Sequence, residues 1–129
     1  MERILVVDDE MGARTLLGIM LGHAGFTVIT AKDANEALTL LEQPARPDLI
    51  ILDVMMPGMD GIELCRTIRR RPGLGTLPIL ILSARTNLED IGRGLEAGAN
   101  DYLPKPVLNH DLKAKVRALI DMNMTVSDQ

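Results

Sequence analysis

Tryptophan is absent from the chain, and phenylalanine and tyrosine occur once each. Any core must therefore be built from Leu, Ile, Val, Ala and Met, and a hydrophobic share of 47% supplies enough of them. Cysteine is down to one, Cys65, which excludes an internal disulfide and suits a reducing cytoplasm. Positive charge is not in excess: 14 Lys and Arg stand against 18 Asp and Glu. With a net charge of −4 there is no global cationic field to hold nucleic acid or an anionic membrane. Long apolar runs are missing as well. The first, ILVV (4–7), stops at two acids, whereas a signal-peptide core needs roughly 7–15 apolar residues and a membrane span about 20. No repeat or low-complexity tract interrupts the 129 residues. The expectation is one soluble cytoplasmic domain over 1–122, with 123–129 a frayed tail or the start of a linker.

What is present alternates regularly. ILVV (4–7) precedes a helical pattern of Ala13, Leu17, Met20, Leu21 and Ala24, closed by Gly25. FTVIT (26–30) reads as a second strand. Asp33 can cap the next helix with Glu36 as its capping-box partner, and Pro44 ends it. LIIL (49–52) is a third strand, and Asp60 with Glu63 repeats the cap. The following helix has an apolar face of Ile62, Cys65 and Ile68 and closes on the cations Arg69–Arg71. PILILSA (78–84) is a fourth strand. Asn87 can cap a helix with Leu88, Ile91 and Leu95 on its apolar face. A short strand around Tyr102 and Leu103 follows, and Asn109 is placed to cap a last helix carrying Leu112, Val116 and Leu119. Three of the strands are continuous apolar runs, the mark of burial on both faces. Five β/α units of this kind predict a doubly wound, five-stranded parallel sheet, a flavodoxin-like (βα)5 sandwich.

Open parallel sheets bind ligands beyond the carboxyl ends of their strands. Asp8 and Asp9 end the first strand, Asp53 the third and Ser83 the fourth, and Lys105 follows the fifth, so all fall on one rim. Two carboxylates about 4 Å apart repel by about 4 kcal/mol at an effective dielectric near 20. Three together cost on the order of 10 kcal/mol by the same arithmetic, against a domain stability of about 5–15 kcal/mol. A proton, Lys105 or a divalent cation must neutralise them. Any one strand-end Asp alone is commonly a helix cap or a solvated loop residue. An all-oxygen, carboxylate-rich site suits Mg²⁺ over zinc, because Cys65, His23 and His110 lie away from it.

At these residues the sequence resembles the receiver domains of bacterial response regulators, the CheY-like family. The matching pieces are ILVVDDE, LIILDVMMPGMDG, PILILSA, GLEAGANDYLPKP and LKAKVRALI, which together cover essentially the full length. The resemblance implies that Asp53 accepts a phosphoryl group from a phosphohistidine on a sensor histidine kinase or phosphotransfer protein. It implies that Mg²⁺ is held by Asp9, Asp53 and the backbone carbonyl of Met55, with Asp8 acting largely through water. Ser83 and Lys105 would bind phosphoryl oxygens, and the Lys–Pro bond after Lys105 is usually cis in the family. Such a chain is no conventional enzyme; it catalyses its own phosphorylation and dephosphorylation. Ser83 and Tyr102 would form a switch, with Tyr102 rotating inward as Ser83 moves. The fourth helix, fifth strand and fifth helix would then present a changed face to a partner or output domain. Arg93, Asp101, Asp111 and Arg117 on that face are candidates for a homodimer contact. Met55 and Arg85 occupy the positions that influence phosphate lifetime in the family.

The remaining features are read plainly. RTIRRRPG is a helix end, His23 and His110 are surface or capping residues, and most methionines are core filler. One competing function is a Mg²⁺-dependent aspartyl phosphohydrolase, but Asp53–Val54–Met55 lacks the second acid two residues on. Another is a phosphorylation-independent binding module, which the loss of Asp53 or Lys105 would have favoured; both are present.

Overall fold

Strand-forming residues that are apolar at every position can only be satisfied inside a sheet, and that is where the three continuous runs lie. In the computed structural model, which describes residues 2–127, five parallel strands form one sheet in the order β2-β1-β3-β4-β5. The elements are β1 (Arg3–Val7), α1 (Met11–His23), β2 (Thr27–Ala31), α2 (Ala34–Leu41), β3 (Leu49–Leu52), α3 (Gly61–Arg70), β4 (Ile79–Ser83), α4 (Leu88–Glu96), β5 (Asp101–Pro104) and α5 (Asn109–Ser127). The interior strands are β1, β3 and β4, the three with unbroken apolar runs. Edge strand β2 is half exposed.

Successive side chains on a strand point to opposite faces, and the core divides accordingly. Ile4, Val6, Leu49, Ile51, Leu80 and Leu82 pack beneath α1 and α5. Leu5, Val7, Ile50, Leu52, Ile79 and Ile81 face the other layer, with α2, α3 and the turn after α4. The sandwich is therefore doubly wound, as the alternation predicts.

Local signals place most of the ends. The Asp33, Asp60 and Asn87 side chains accept from the backbone N–H groups of Glu36, Glu63 and Asp90 at 2.8, 2.9 and 2.8 Å. Glu36, expected to complete a capping box, instead accepts from Lys32 N–H. Gly25 follows α1 with φ +96°, a conformation open to glycine.

The structure differs from expectation at four places. Asn109 is the first helical residue of α5 and not its cap, since Leu112 N–H already bonds Leu108 O. That helix carries on through most of the expected tail, to Ser127. Of the methionines whose side chains are described, only Met56 is buried; Met11, Met55 and Met122 are exposed. The fourth correction concerns α4. Its expected apolar face is split: Leu88, 88% exposed, and Leu95 point outward, Ile91 packs partly on the core, and Asp90 and Gly94 are buried. The space under α4 is taken by Ile81 and Tyr102, so only a small residue fits at Gly94 and the leucines turn to solvent.

Arg69 does more than end a helix. Its guanidinium is half-buried and donates to the carbonyls of Gly98 (2.9 and 2.7 Å), Leu74 and Leu77 and to Asn100 Oδ1 (2.9 Å). Asn100 Oδ1 also accepts from Ile79 N–H, so one cation ties the end of α3 to the starts of β4 and β5. Removing it strands several carbonyls without partners. We expect Arg69→Ala to lose about 2–3 kcal/mol in urea unfolding, and exposed Arg70→Ala to stay within about 0.5 kcal/mol of wild type. Equal midpoints for the two variants would show that the cross-link is idle.

Candidate functional site

Strand register brings the sequence-distant polar residues together. Val7 pairs with Leu52 and Leu52 with Ile81, so β1 and β3 end level with each other and β4 runs slightly further. Asp53 N–H bonds Val7 O, and Lys105 N–H bonds Ser83 O, continuing the ladder past the strand ends. Asp8, Asp9 and Asp53 consequently converge, with a ligand oxygen of each within 4.8 Å of the others.

Burial grades the three acids. Asp8 is 1% exposed, Asp53 is nearly buried and Asp9 is open to solvent. Asp8 is pinned by Glu10 N–H, which donates to its Oδ1 at 3.0 Å, while Arg14 donates to its backbone carbonyl at 2.7 Å. Met55 N–H donates to Asp53 Oδ1 at 3.3 Å. Lys105 Nζ bridges the pair, 2.7 Å from Asp8 Oδ2 and 3.1 Å from Asp53 Oδ2. Burial pulls this ammonium's pKa down, but its hydrogen bonds to Asp8 and Asp53 and their charges outweigh that and hold it above the ordinary 10.5. It is charged throughout the physiological range. The Lys105–Pro106 peptide bond is cis.

Lys105 was one of the neutralisers foreseen, and it answers two of the acids. Asp9 has no hydrogen bond or ion pair among the described residues. Three carboxylates around a single ammonium leave net negative charge and spare oxygen donors. An oxygen-only set of this kind fits a hard divalent cation and does not fit one that prefers nitrogen or sulfur.

Ser83 and Tyr102 meet through the backbone of one residue, Arg85. Arg85 N–H donates to Ser83 Oγ at 3.0 Å, and Tyr102 O–H donates to Arg85 O at 2.6 Å. Tyr102 already lies inside, 8% exposed, so its inward position does not wait for Ser83 to leave.

The residues expected on one interaction face do not all share it. Arg93 lies 3.7 Å from Asp90 on α4, Asp101 pairs with Lys115, and Asp111 pairs with His110 if that ring is protonated. Arg117 is placed elsewhere. It binds Glu2 at 2.6 and 3.3 Å and lies 5.1 Å over the Phe26 ring, facing the β1–β2 side of the sheet. Lys115, which holds Asp101, and Arg117 are two residues apart and point about 200° apart around α5.

Two features of the site escaped sequence reading. A Cβ on Gly61 would collide with the backbone carbonyl oxygen of Asp53 and lie 2.9 Å from Val54 Cα, so only glycine lets α3 start this close to the strand end. Its N–H donates to Val54 O at 3.0 Å. The glycine straight after a helix-capping Asp60 was the available signal. The bridging Arg85 peptide acts through backbone atoms and left none.

Comparison with known proteins gives a consistent result. Residues 4–117 match the model of the response regulator receiver domain. The chain is 48% identical over 118 residues to response regulator MprA of Mycolicibacterium vanbaalenii, covering 92% of this chain and 50% of that protein. It is 43% identical over 122 residues to the DNA-binding response regulator MtrA of Mycobacterium tuberculosis, covering 95% of this chain and 52% of that one. It thus spans about half the length of these relatives. Among solved structures it is similar to chemotaxis protein CheY4 of Vibrio cholerae, with a TM-score of 0.87 and 35% identity over 92% of this chain and 98% of that one.

Because Asp9 is the acid without a counter-charge, Asp9→Asn should stabilise the protein in metal-free buffer. The expected gain is about 1 kcal/mol, the value for two charges near 4 Å in a water-like medium. Excess divalent cation should erase it. Urea midpoints that coincide in chelator would mean the three acids do not repel as described.

Proposed function

The chain belongs to the response regulator receiver family of two-component systems, and we propose that Asp53 is its phosphoacceptor. The donor is the phosphohistidine of a sensor histidine kinase or of a phosphotransfer protein. The observation that carries this reading is the ammonium of Lys105 held between Asp8 and Asp53 inside a cluster of three acids. A nucleophilic carboxylate fixed at a strand end, with a cation at its side, matches what phosphoryl transfer needs. That reaction demands positioning and charge compensation, with little covalent work by the protein.

An oxygen of Asp53 forms the new O–P bond as the P–N bond to the donor imidazole breaks, and the bonding pair departs with the ring nitrogen. Lys105 exchanges its longer contact, to Asp53, for a phosphoryl oxygen and keeps Asp8. Ser83 Oγ accepts from Arg85 N–H, which leaves its own proton to donate to a second phosphoryl oxygen. Asp8, Asp9, Asp53 and the Met55 carbonyl would hold Mg²⁺, which when bound supplies positive charge against the transferring oxygens. The half-exposed Met55 side chain stands beside the nucleophile, where it screens the approach of water.

Ser83 and Tyr102 serve as the switch in this reading, joined by the Arg85 peptide. The output is read from α4, β5 and α5. Exposed Leu88, Leu95 and Leu108 lie on these elements and the loop joining β5 to α5, beside Arg93, Asp101 and Asp111, and support a face that binds a second copy or an effector. Arg117 is not part of that face. Among the described residues no helix is long and apolar enough to cross a membrane, and we place the domain in the cytoplasm alongside its kinase, with no direct nucleic-acid contact of its own.

Incubation with acetyl phosphate should label the wild type only when Mg²⁺ is present and should leave Asp53→Asn unlabelled. Equal labelling of the two, or labelling indifferent to metal, would overturn the assignment. For the output face, beryllofluoride with Mg²⁺ is expected to raise the mass seen by light scattering at high concentration. A species that stays monomeric there excludes the homodimer.

A further inference from the structure

We propose that Gly94 is a positioning residue for Tyr102. The missing side chain on this turn of α4 is the seat in which the phenol ring lies, and it sets how deep the ring goes. The inference rests on the switching role given above to Ser83 and Tyr102.

Gly94 is a buried residue of α4, on the side that meets Ile81 and Tyr102. A Cβ built on it would stand 2.9 Å from Ile81 Cδ1 and 3.2 and 3.3 Å from Tyr102 Cδ2 and Cε2. Those distances are shorter than ordinary carbon contacts of 3.5–4.0 Å, so something must move. Ile81 is fully buried on interior strand β4 and has core around it. Close-packed interiors leave a methyl little room to swing. Tyr102 sits on edge strand β5 and borders solvent, so the ring is the softer wall.

Moving the ring outward has a defined consequence. Tyr102 O–H loses its acceptor, Arg85 O, and the N–H of the same residue is what holds Ser83 Oγ. Gly94 thereby acts on the site through Tyr102 and the Arg85 peptide, without touching the phosphorylation chemistry.

Gly92, two residues earlier in the same helix, has nothing within 4 Å of its Cβ position. Replacing either glycine by alanine strengthens the helix to a similar degree. Only the substitution at Gly94 meets the ring. The pair separates a steric effect on Tyr102 from a general stiffening of α4.

Tyr102 is the sole tyrosine in a chain without tryptophan, so a fluorotyrosine label reports on it alone. Wild type, Gly92→Ala, Gly94→Ala, Ile81→Val and Gly94→Ala/Ile81→Val would be labelled and followed by ¹⁹F NMR, with acrylamide quenching of tyrosine emission alongside. In Gly94→Ala the resonance should move toward the solvent-exposed position and quenching should rise. Gly92→Ala should coincide with wild type. Ile81→Val, which removes the methyl nearest the new Cβ, should bring the resonance of the double variant only part of the way back, because the new Cβ still meets the ring at 3.2 and 3.3 Å. Coincidence of Gly94→Ala with wild type overturns the proposal, as does an equal shift in Gly92→Ala. If Gly94→Ala alone does not fold, the double variant against Ile81→Val decides, and identical signals there overturn it as well. Acetyl phosphate labelling of the same samples is scored separately. Failure of the wild type to label on Asp53 refutes the functional reading, whereas the tyrosine signal by itself decides the seat.

Discussion

Three carboxylates share one rim of this sheet with a single ammonium, and the charge left over is the constraint around which the rest is arranged. A domain of this size can carry such repulsion only if the surrounding framework is stiff, since the cost of crowding charges is comparable with its whole stability. The framework is stiff because β1, β3 and β4 are buried on both faces and cannot relax sideways. Asp8 and Asp53 continue the two central strands, and Lys105 is tied to the ladder through Ser83. The acids are held together by backbone hydrogen bonds and core packing, and their unspent negative charge is what makes the site receptive to a cation.

The same economy appears in how Ser83 is joined to Tyr102. Ser83 and Tyr102 share the backbone of a single residue, Arg85, and the ring of Tyr102 lies in a gap left by a glycine. No long chain of contacts is needed to connect the rim to the outward face of α4. The helix meets the sheet through small residues, and its leucines face solvent as a result. An apolar surface there is thus a by-product of making room beneath, and it becomes available to a partner.

Much of this was legible in the chain because the signals were local or periodic. Continuous apolar runs marked the interior strands, Asp33, Asp60 and Asn87 marked helix starts, and the acids, Ser83 and Lys105 followed their strands in order. What failed depended on neighbours far away in sequence. Leu88, Ile91 and Leu95 repeat at helical spacing, yet of these only Ile91 reaches the core, and Gly94 is turned inward where Ile81 and Tyr102 already fill the space. Arg69 reads as one of three equivalent cations, and only the turn after α4 makes it the buried one. Arg117 lies two residues along α5 from Lys115, which points to the opposite side of the helix. Gly61 is short of room only because Asp53 is folded against it. Periodicity shows which residues can share a face and is silent about which face the rest of the molecule leaves empty.

The Arg69 cross-link has a mechanical meaning. It grips Gly98, just past the end of α4, while Asn87 and Leu88 at the other end have solvent around them. A rod held more firmly at one end moves by swinging, so any displacement of α4 would have its fulcrum at Gly98. At 1.5 Å per residue its arm is roughly 13 Å, and a tilt of about 10° carries the far tip by about 2 Å while the pivot stays still. That tip follows the Ser83–Arg85 segment in the chain, so the largest travel would fall beside the acidic rim and the least where the sheet must remain intact.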